Sequence, residues 1–224
     1  MNVKRIFSVV GTCVLGASLL AGCSSPRTVP WAFNDDSIRS VLVVPVVSES
    51  TQVGSDMLMY STATYPIAEK GYYPYPVETV KMVLEQEGLY EPERVYQMDP
   101  AKLASMFGAD AVMKIKVNEW DAQYAVLNTT ILVDADYTLY KADGTELWKD
   151  KAQYKWRSDG GQTQTSLLGL LVEATTAAVN RAAPDFRPAA KNLAWYSVRY
   201  WKPGPILREE MVETAQKNVA EPVK

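Results

Sequence analysis

The feature that most constrains the fold is a change in hydrophobic periodicity to two in the middle of the chain. Apolar and polar side chains alternate over residues 113–118 and 131–139, and residues 147–156 form a third such segment. This alternation is typical of β-strands that bury one face. Residues 141–144, Lys-Ala-Asp-Gly, suit a tight turn in which glycine supplies a positive φ. The sequence therefore predicts a three-stranded antiparallel meander with one polar face, its first turn centred on Asn128.

The segments before the meander carry different signals. Residues 41–47 are almost all valine or leucine and predict a strand buried on both faces, where Pro45 imposes a bulge or an edge position because it has no N–H. Residues 48–60 are polar and predict a mobile loop. Helices are predicted over residues 77–88 and, with an Asp-Pro start, over residues 99–108; both end at a glycine.

The end of the chain divides into a helix and a tail. Residues 166–181 place leucine and alanine on one wide stripe and predict a helix that lies across the sheet. Residues 206–224 contain few large apolar side chains and predict a flexible tail. The fold class predicted from these elements is a single α/β (α+β) domain over residues 37–205.

The amino terminus predicts export and lipid attachment. Lys4 and Arg5 precede an uncharged apolar stretch over residues 6–20, the pattern of a secretory signal. The stretch ends in Leu-Ala-Gly-Cys, which looks like a lipobox; cleavage would then remove residues 1–22 and acyl chains on Cys23 would hold the protein at the membrane. The alternative is an ordinary secreted protein with a cysteine near its cleavage site by chance.

The segment after the lipobox predicts location and attachment. In lipoproteins of this kind, a serine rather than an aspartate at position 24 favours sorting to the outer membrane, with the body in the periplasm. Residues 23–36 are rich in Ser, Pro, Asn and Asp and predict a tether. Its aromatic residues, Trp31 and Phe33, either sit at the membrane interface or dock on the domain.

The composition excludes several classes of function. The formal net charge is −3 and becomes −5 when the signal's two basic residues are removed. An acidic chain predicts no nucleic-acid partner and no basic patch for anionic lipid. There is no histidine, and the two cysteines are Cys13, within the signal, and Cys23. Disulfides, histidine-based triads and histidine-ligated metal sites are therefore excluded, and no metal, cofactor or catalytic residue is predicted.

One pair of carboxylates leaves an enzymatic alternative open. Asp134 and Asp136 stand at i and i+2, so both project from one face of a strand. A retaining glycosidase needs two carboxyl groups about 5–5.5 Å apart. The other interpretation is a solvated strand face whose acidic residues discourage edge-to-edge pairing.

Two aromatic clusters form the candidate partner surface. Tyrosine supplies contact area at low entropic cost, and four large aromatic residues within eight suit an intermolecular contact. The alternative is that these side chains pack on the domain's own sheet. The seven residues are Tyr72, Tyr73, Tyr75, Trp195, Tyr196, Tyr200 and Trp201.

Three motifs resemble a known family. They are residues 70–77 (Lys-Gly-Tyr-Tyr-Pro-Tyr-Pro-Val), residues 108–111 (Gly-Ala-Asp-Ala) and residues 143–148 (Asp-Gly-Thr-Glu-Leu-Trp). In order and spacing they resemble a family of uncharacterised Gram-negative lipoproteins that includes a neisserial surface antigen. Similar patterns occur in the amino-terminal domain of the translocation protein TolB and in curli-secretion-type lipoproteins. The resemblance implies an α/β sandwich with a mixed sheet, and a possible envelope complex with a curli-secretion-channel-like lipoprotein. It supplies no catalytic residue.

Together, these observations favour a lipid-anchored, non-enzymatic, protein-binding component of an envelope assembly or export complex. The expected partner is another envelope lipoprotein or a second copy of the chain. Two other classes stay open. An accessory lipoprotein that activates or positions a cell-wall enzyme needs a partner-facing groove, and a carboxylate-based glycan hydrolase needs an acidic cleft.

Overall fold

A computed structural model describes three ranges of the chain: residues 31–124, 129–157 and 185–220. The amino-terminal signal with Cys23, the turn centred on Asn128 and the helix predicted over residues 166–181 lie outside the described residues.

Six strands form one mixed sheet. They are β1 (Ser40–Val43), β2 (Val47–Ser48), β3 (Tyr73–Pro74), β4 (Ala111–Tyr124), β5 (Thr129–Lys141) and β6 (Glu146–Arg157). Their order is β3-β1-β4-β5-β6, and β2 pairs with β4 further along. The pairs among β1, β2, β3 and β4 are parallel, whereas β4, β5 and β6 are antiparallel. The predicted meander and the mixed α/β fold class are confirmed.

The described helices cover both faces of the sheet. They are α1 (Ser55–Glu69), α2 (Val77–Gln86), α3 (Pro92–Gln97), α4 (Pro100–Phe107), α5 (Arg187–Ser197) and α6 (Pro205–Ala220). Helices α1 and α5 pack on each other and on the face that carries Val41 and Val43. Buried residues of α2, α3 and α4 form a second core with Leu42 and Val44. Strand β1 is therefore buried on both faces, as its sequence predicts.

The predicted turns and caps explain where several elements begin and end. The Asp99 side chain accepts a hydrogen bond from the Ala101 N–H at 2.9 Å and caps α4. In the β5–β6 turn, the Gly144 N–H donates to the Lys141 carbonyl at 2.9 Å. Gly144 has φ 86°, a conformation that glycine adopts without steric cost.

The predicted loop over residues 48–60 is wrong in its second half, because α1 begins at Ser55. Met59, Ala63 and Ile67 follow at intervals of four and are all buried, which gives the helix its core-facing stripe. Polar residues between them and Pro66 inside the helix hide this stripe in the sequence. The strand predicted over residues 41–47 is also interrupted, since β1 ends at Val43 and β2 begins only after Pro45.

The flexible tail predicted over residues 206–224 is wrong for its described part, which forms α6. Its sequence places polar and charged residues between the few apolar ones, so no apolar stripe predicts the helix. Ion pairs and one close contact hold its first turns. Arg39 contacts Glu209 at 2.9 Å, Arg208 contacts Asp36 at 2.7 Å, and Leu207 packs on Gly71.

The folded domain also begins earlier than the predicted boundary at residue 37. Phe33 is buried, and the Ala32 N–H donates to the Tyr200 carbonyl at 2.8 Å. Lys141 contacts the Asp35 carboxylate at 2.9 Å. Hydrogen bonds from Ser37 and Lys141 lower the Asp35 pKa to about 2, so this carboxylate is charged at neutral pH. The described part of the predicted tether, residues 31–36, is therefore docked on the domain.

Asp110, in the Gly-Ala-Asp-Ala motif, ties together the starts of β1 and β4. Its Oδ2 accepts hydrogen bonds from the backbone N–H groups of Arg39 and Ser40 at 3.0 and 2.9 Å, and from Ser40 Oγ at 2.9 Å. Its own N–H donates to Ser40 Oγ at 3.0 Å, and its carbonyl accepts from the Ala142 N–H at 2.9 Å. One residue thus joins two parallel strands and the β5–β6 turn.

Replacing Asp110 should therefore weaken the sheet. Asp110→Ala leaves two backbone donors and one hydroxyl without their acceptor, and we expect it to lower the free energy of unfolding by about 1–3 kcal/mol. Asp110→Asn keeps an acceptor oxygen and should lose less. Urea denaturation measures both; equal midpoints for wild type and Asp110→Ala would contradict this role.

Candidate functional site

Two members of the predicted partner surface, Tyr72 and Trp201, are buried in the domain's own core, so this part of the prediction is wrong. Trp201 is 0% exposed. Its ring lies edge-on to Phe33, Trp148 and Tyr72, with centroids 5.2, 5.5 and 5.7 Å away. The Tyr72 hydroxyl donates to the Lys202 carbonyl at 3.0 Å, and burial raises the Tyr72 pKa to about 12.

A close crossing of two backbone segments explains this burial. The Gly204 N–H donates to the Lys70 carbonyl at 2.6 Å, and a Cβ on Gly204 would overlap the Gly71 carbonyl. Lys70 Nζ donates to the carbonyls of Arg199 and Trp201 at 3.0 and 3.3 Å. The chain after α5 is thereby held against the entry to β3, and Trp201 turns inward.

Neighbouring substitutions separate core from surface in this segment. Trp201→Ala should lower the free energy of unfolding by about 3–5 kcal/mol because it empties the centre of an aromatic cluster. Tyr200→Ala, at a side chain that is 45% exposed, should cost less than about 1 kcal/mol. Chemical denaturation of the two variants gives both values, and similar losses would contradict the assignment.

The other predicted aromatic residues do not form one surface. Tyr73 and Tyr75 lie at β3, with ring centroids 5.5 Å apart, and the Tyr75 hydroxyl donates to the Phe107 carbonyl at 3.1 Å. Trp195, on α5, packs edge-on against Tyr65 of α1 with centroids 5.9 Å apart.

Tyr196 and Tyr200 form a separate exposed cluster around one cation. The Arg199 guanidinium carbon lies 3.4 Å from the Tyr196 ring centroid and 4.4 Å from that of Tyr200. Such a cation is attracted to the electron-rich ring faces. The three side chains therefore act as one surface feature at the carboxyl end of α5.

Asp134 is held by its strand neighbours rather than solvated. It is 6% exposed, and its carboxylate accepts from Asn118 Nδ2 at 2.9 Å and from Gln153 Nε2 at 3.4 Å. Lys151 lies 3.5 Å away. In the sheet register, Asp136 is opposite Lys116 and Lys151. The structure thus accounts for the buried carboxylate through polar contacts across three strands.

The feature that the sequence did not indicate is a cavity where the first strand is interrupted. Between β1 and β2, Pro45 and Val46 line a cavity of about 70 Å³, together with residues of α1, α2, α3 and the loop between α2 and α3. Its rim carries Met57, which is 48% exposed, and Tyr90, which is 73% exposed. Since α1 was expected to be a loop up to residue 60, no sequence pattern placed these residues together.

Tyr60 lines the cavity, and its side chain carries a buried hydroxyl without a protein partner in the described ranges. The side chain is 3% exposed, and no donor or acceptor among the described residues reaches its hydroxyl. Burial raises the pKa of this phenol, and the charge of Glu78 raises it further. A buried hydroxyl without a hydrogen bond costs free energy, so Tyr60 is a strained point in the packing beside the cavity.

The wall of the cavity formed by α3 depends on a buried cation. A helix of six residues is too short to be stable alone. Lys114 Nζ, from β4, donates to the carbonyls of Tyr96 and Met98 at 2.7 and 2.6 Å, at the carboxyl end of α3. Burial lowers the Lys114 pKa. The ammonium therefore satisfies carbonyls that the helix leaves free.

The described residues contain no group of three or more acidic or cysteine side chains placed to hold a metal ion. Within the same ranges, no helix combines the length and the apolar character that crossing a membrane requires.

Comparison with known proteins identifies the family. The family model described as "Putative lipoprotein GNA1162-like" matches residues 31–198. The chain belongs to this family. The "Putative lipoprotein NMB1124/NMB1162" of Neisseria meningitidis serogroup B is 31% identical over 155 residues, which cover 69% of this chain and 71% of that protein. The resemblance to a lipoprotein family, which the three sequence motifs predict, is confirmed. Membership of a lipoprotein family places the chain in the cell envelope.

A solved structure from the family agrees with this membership. The crystal structure of lipoprotein GNA1162 from Neisseria meningitidis matches with a TM-score of 0.50 and 33% identity, covering 65% of this chain and 99% of that chain. The PelC dodecamer from Paraburkholderia phytofirmans matches with a TM-score of 0.41 and 14% identity, covering 68% of this chain and 95% of that chain. The GNA1162-like match ends at residue 198, so Trp201 and α6 lie beyond it.

Proposed function

We propose that this GNA1162-like lipoprotein is anchored in the outer membrane through Cys23, with its body in the periplasm, and that it acts without catalysis as a protein-binding component of an envelope assembly or export complex. The lipobox and Ser24 support the anchor and its membrane. The observation that carries the binding role is the cavity at the strand interruption, with its exposed apolar rim.

The size of the cavity favours a protein partner over a small-molecule substrate. Pockets for drug-sized ligands hold about 300–1,000 Å³, several times the 70 Å³ found here. A cavity of this size suits a single side chain projecting from a partner. Met57 and Tyr90 at the rim would then exclude water from that contact, as in interfaces whose binding energy is concentrated at a central anchor.

Charged side chains beside the cavity would fix the direction in which a partner binds. Asp56, Lys81 and Glu85 line it together with the apolar side chains. Charges of both signs around an interface contribute more to specificity than to affinity. This pattern suits a partner that carries an apolar side chain between polar neighbours. We take another envelope lipoprotein to be that partner.

A matched pair of methionine substitutions tests the binding face. Met57→Glu places a charge on the cavity rim, and we expect it to reduce cross-linked partner recovered from intact envelopes at least fivefold, because the carboxylate would have to lose its water in the contact. Met82→Glu is the control, since Met82 is 54% exposed on α2 and does not line the cavity.

Quantitative mass spectrometry of the cross-linked material compares the two variants at equal abundance and equal thermal stability. Equal losses, or none, would contradict the assigned face. Recovery of a cell-wall synthase or hydrolase, rather than another lipoprotein, would instead favour the role of an accessory lipoprotein that activates or positions such an enzyme.

The anchor is tested independently at Cys23. Cys23→Ser removes the thiol that receives the diacylglyceryl group, so we expect uncleaved precursor of higher mass and no acylated form. Intact-mass measurement after envelope fractionation gives the result. A processed Cys23→Ser protein in the outer-membrane fraction would show that the lipobox is not what attaches the chain.

A further inference from the structure

Exposed aromatic side chains gather where the folded domain begins. The Ala32 N–H donates to the Tyr200 carbonyl, so the backbone next to Trp31 runs along the segment that carries the cluster of Tyr196, Arg199 and Tyr200. Trp31 is 52% exposed, and Tyr196 and Tyr200 are each 45% exposed. We use the name aromatic patch for Trp31, Tyr196, Tyr200 and the Arg199 that the two tyrosines enclose. They join the amino-terminal edge of the domain to the carboxyl end of α5.

The chain length before the patch limits its distance from the membrane. Trp31 follows Cys23 by eight residues. A fully extended chain spans at most about 3.3–3.6 Å per residue, so Trp31 stays within about 29 Å of the acylated residue. A short tether therefore limits how far this edge of the domain can move from the bilayer surface.

The chemistry of the patch suits the interface between lipid and water. Tryptophan and tyrosine have an apolar body and a polar edge, and both are enriched at the headgroup level of membranes. Arg199 is stacked between two tyrosine rings and lies 3.7 Å from Asp150, so its charge is largely compensated. The patch thus offers amphipathic rings without a strong net charge, and it needs no anionic lipid.

We propose that the aromatic patch inserts among the lipid headgroups of the membrane that holds Cys23, and so fixes the orientation of the domain on that membrane. This inference rests on the acylation of Cys23 proposed above. Helix α5 and Tyr200 lie on one face of the sheet, and Tyr90, between α2 and α3, lies on the other. Contact through the patch therefore leaves Tyr90 in water.

Labelling at single cysteines tests this orientation. Cys23 is the only cysteine after the signal, so in the acylated chain an introduced cysteine is the only free thiol. Tyr200→Cys, or Tyr196→Cys as a second position in the patch, and the control Tyr90→Cys each receive an environment-sensitive fluorophore. The acylated full chain is then inserted into vesicles of phosphatidylethanolamine and phosphatidylcholine. Part of the lipid carries a nitroxide quencher at the headgroup.

We expect quenching at position 200 or 196 to exceed that at position 90 at least threefold. Adding Trp31→Ala to the chain labelled at position 200 should reduce its quenching. Equal quenching at 200, 196 and 90 would overturn the proposed orientation. Thermal unfolding of each labelled chain, with an unchanged midpoint, confirms that the fold is retained.

Flotation of the same vesicles separates this inference from the anchor on which it rests. If the chain floats with the vesicles but positions 200 and 196 stay unquenched, insertion of the patch is contradicted, whereas attachment through Cys23 is retained. If the chain does not float, the anchor fails, and the patch proposal fails with it.

Discussion

Trp201 joins parts of the chain that are far apart in sequence. Its ring packs on Phe33 at the amino-terminal edge, on Tyr72 at the entry to β3 and on Trp148 of β6. The described residues contain no cysteine and so no disulfide, and such apolar contacts supply much of the long-range connection instead. Phe33, and with it the docked segment of residues 31–36, packs directly on this ring. The sequence predicts a partner surface for the segment that ends at Trp201, but in the structure Trp201 belongs to the core and connects distant parts of the chain.

Sequence patterns predicted those elements whose signals are local. The meander followed from strict alternation, and α4 from the Asp-Pro start and glycine end, because each signal lies within the element itself. Pro45 predicts a bulge or an edge position within the first strand, but not the interruption that the structure shows or the cavity there, which depends on α1. That helix was missed because its buried residues recur among polar ones and a proline. Helix α6 was missed for a different reason. Ion pairs with residues 36 and 39 hold it, and contacts with residues so far away in the chain produce no periodic pattern in its own sequence.

The candidate site was predictable only in part for the same reason. The sequence predicts seven aromatic residues as a candidate partner surface, yet burial separates them into core and surface. The backbone crossing near Gly71 decides which side Trp201 takes. Tyr196 and Tyr200 remain exposed, whereas Tyr72 and Trp201 do not. The cavity brings together residues from α1, α2 and α3, and its α3 wall is held by Lys114 from β4. Such an assembly of distant residues has no signature in any one segment.

The glycines at positions 71 and 204 have a further consequence for related sequences. Neither position has room for a Cβ, because the carbonyl of Gly71 faces Gly204 and Leu207 rests on Gly71 itself. A relative with a larger residue at either site would have to route its carboxyl-terminal segment along another path, since overpacking in such a crossing is strongly unfavourable. The pair therefore serves as a marker: chains that carry both glycines, followed by a helix, are expected to share the aromatic closure around Trp201. Chains without them would end their fold differently, even when residues 31–198 align.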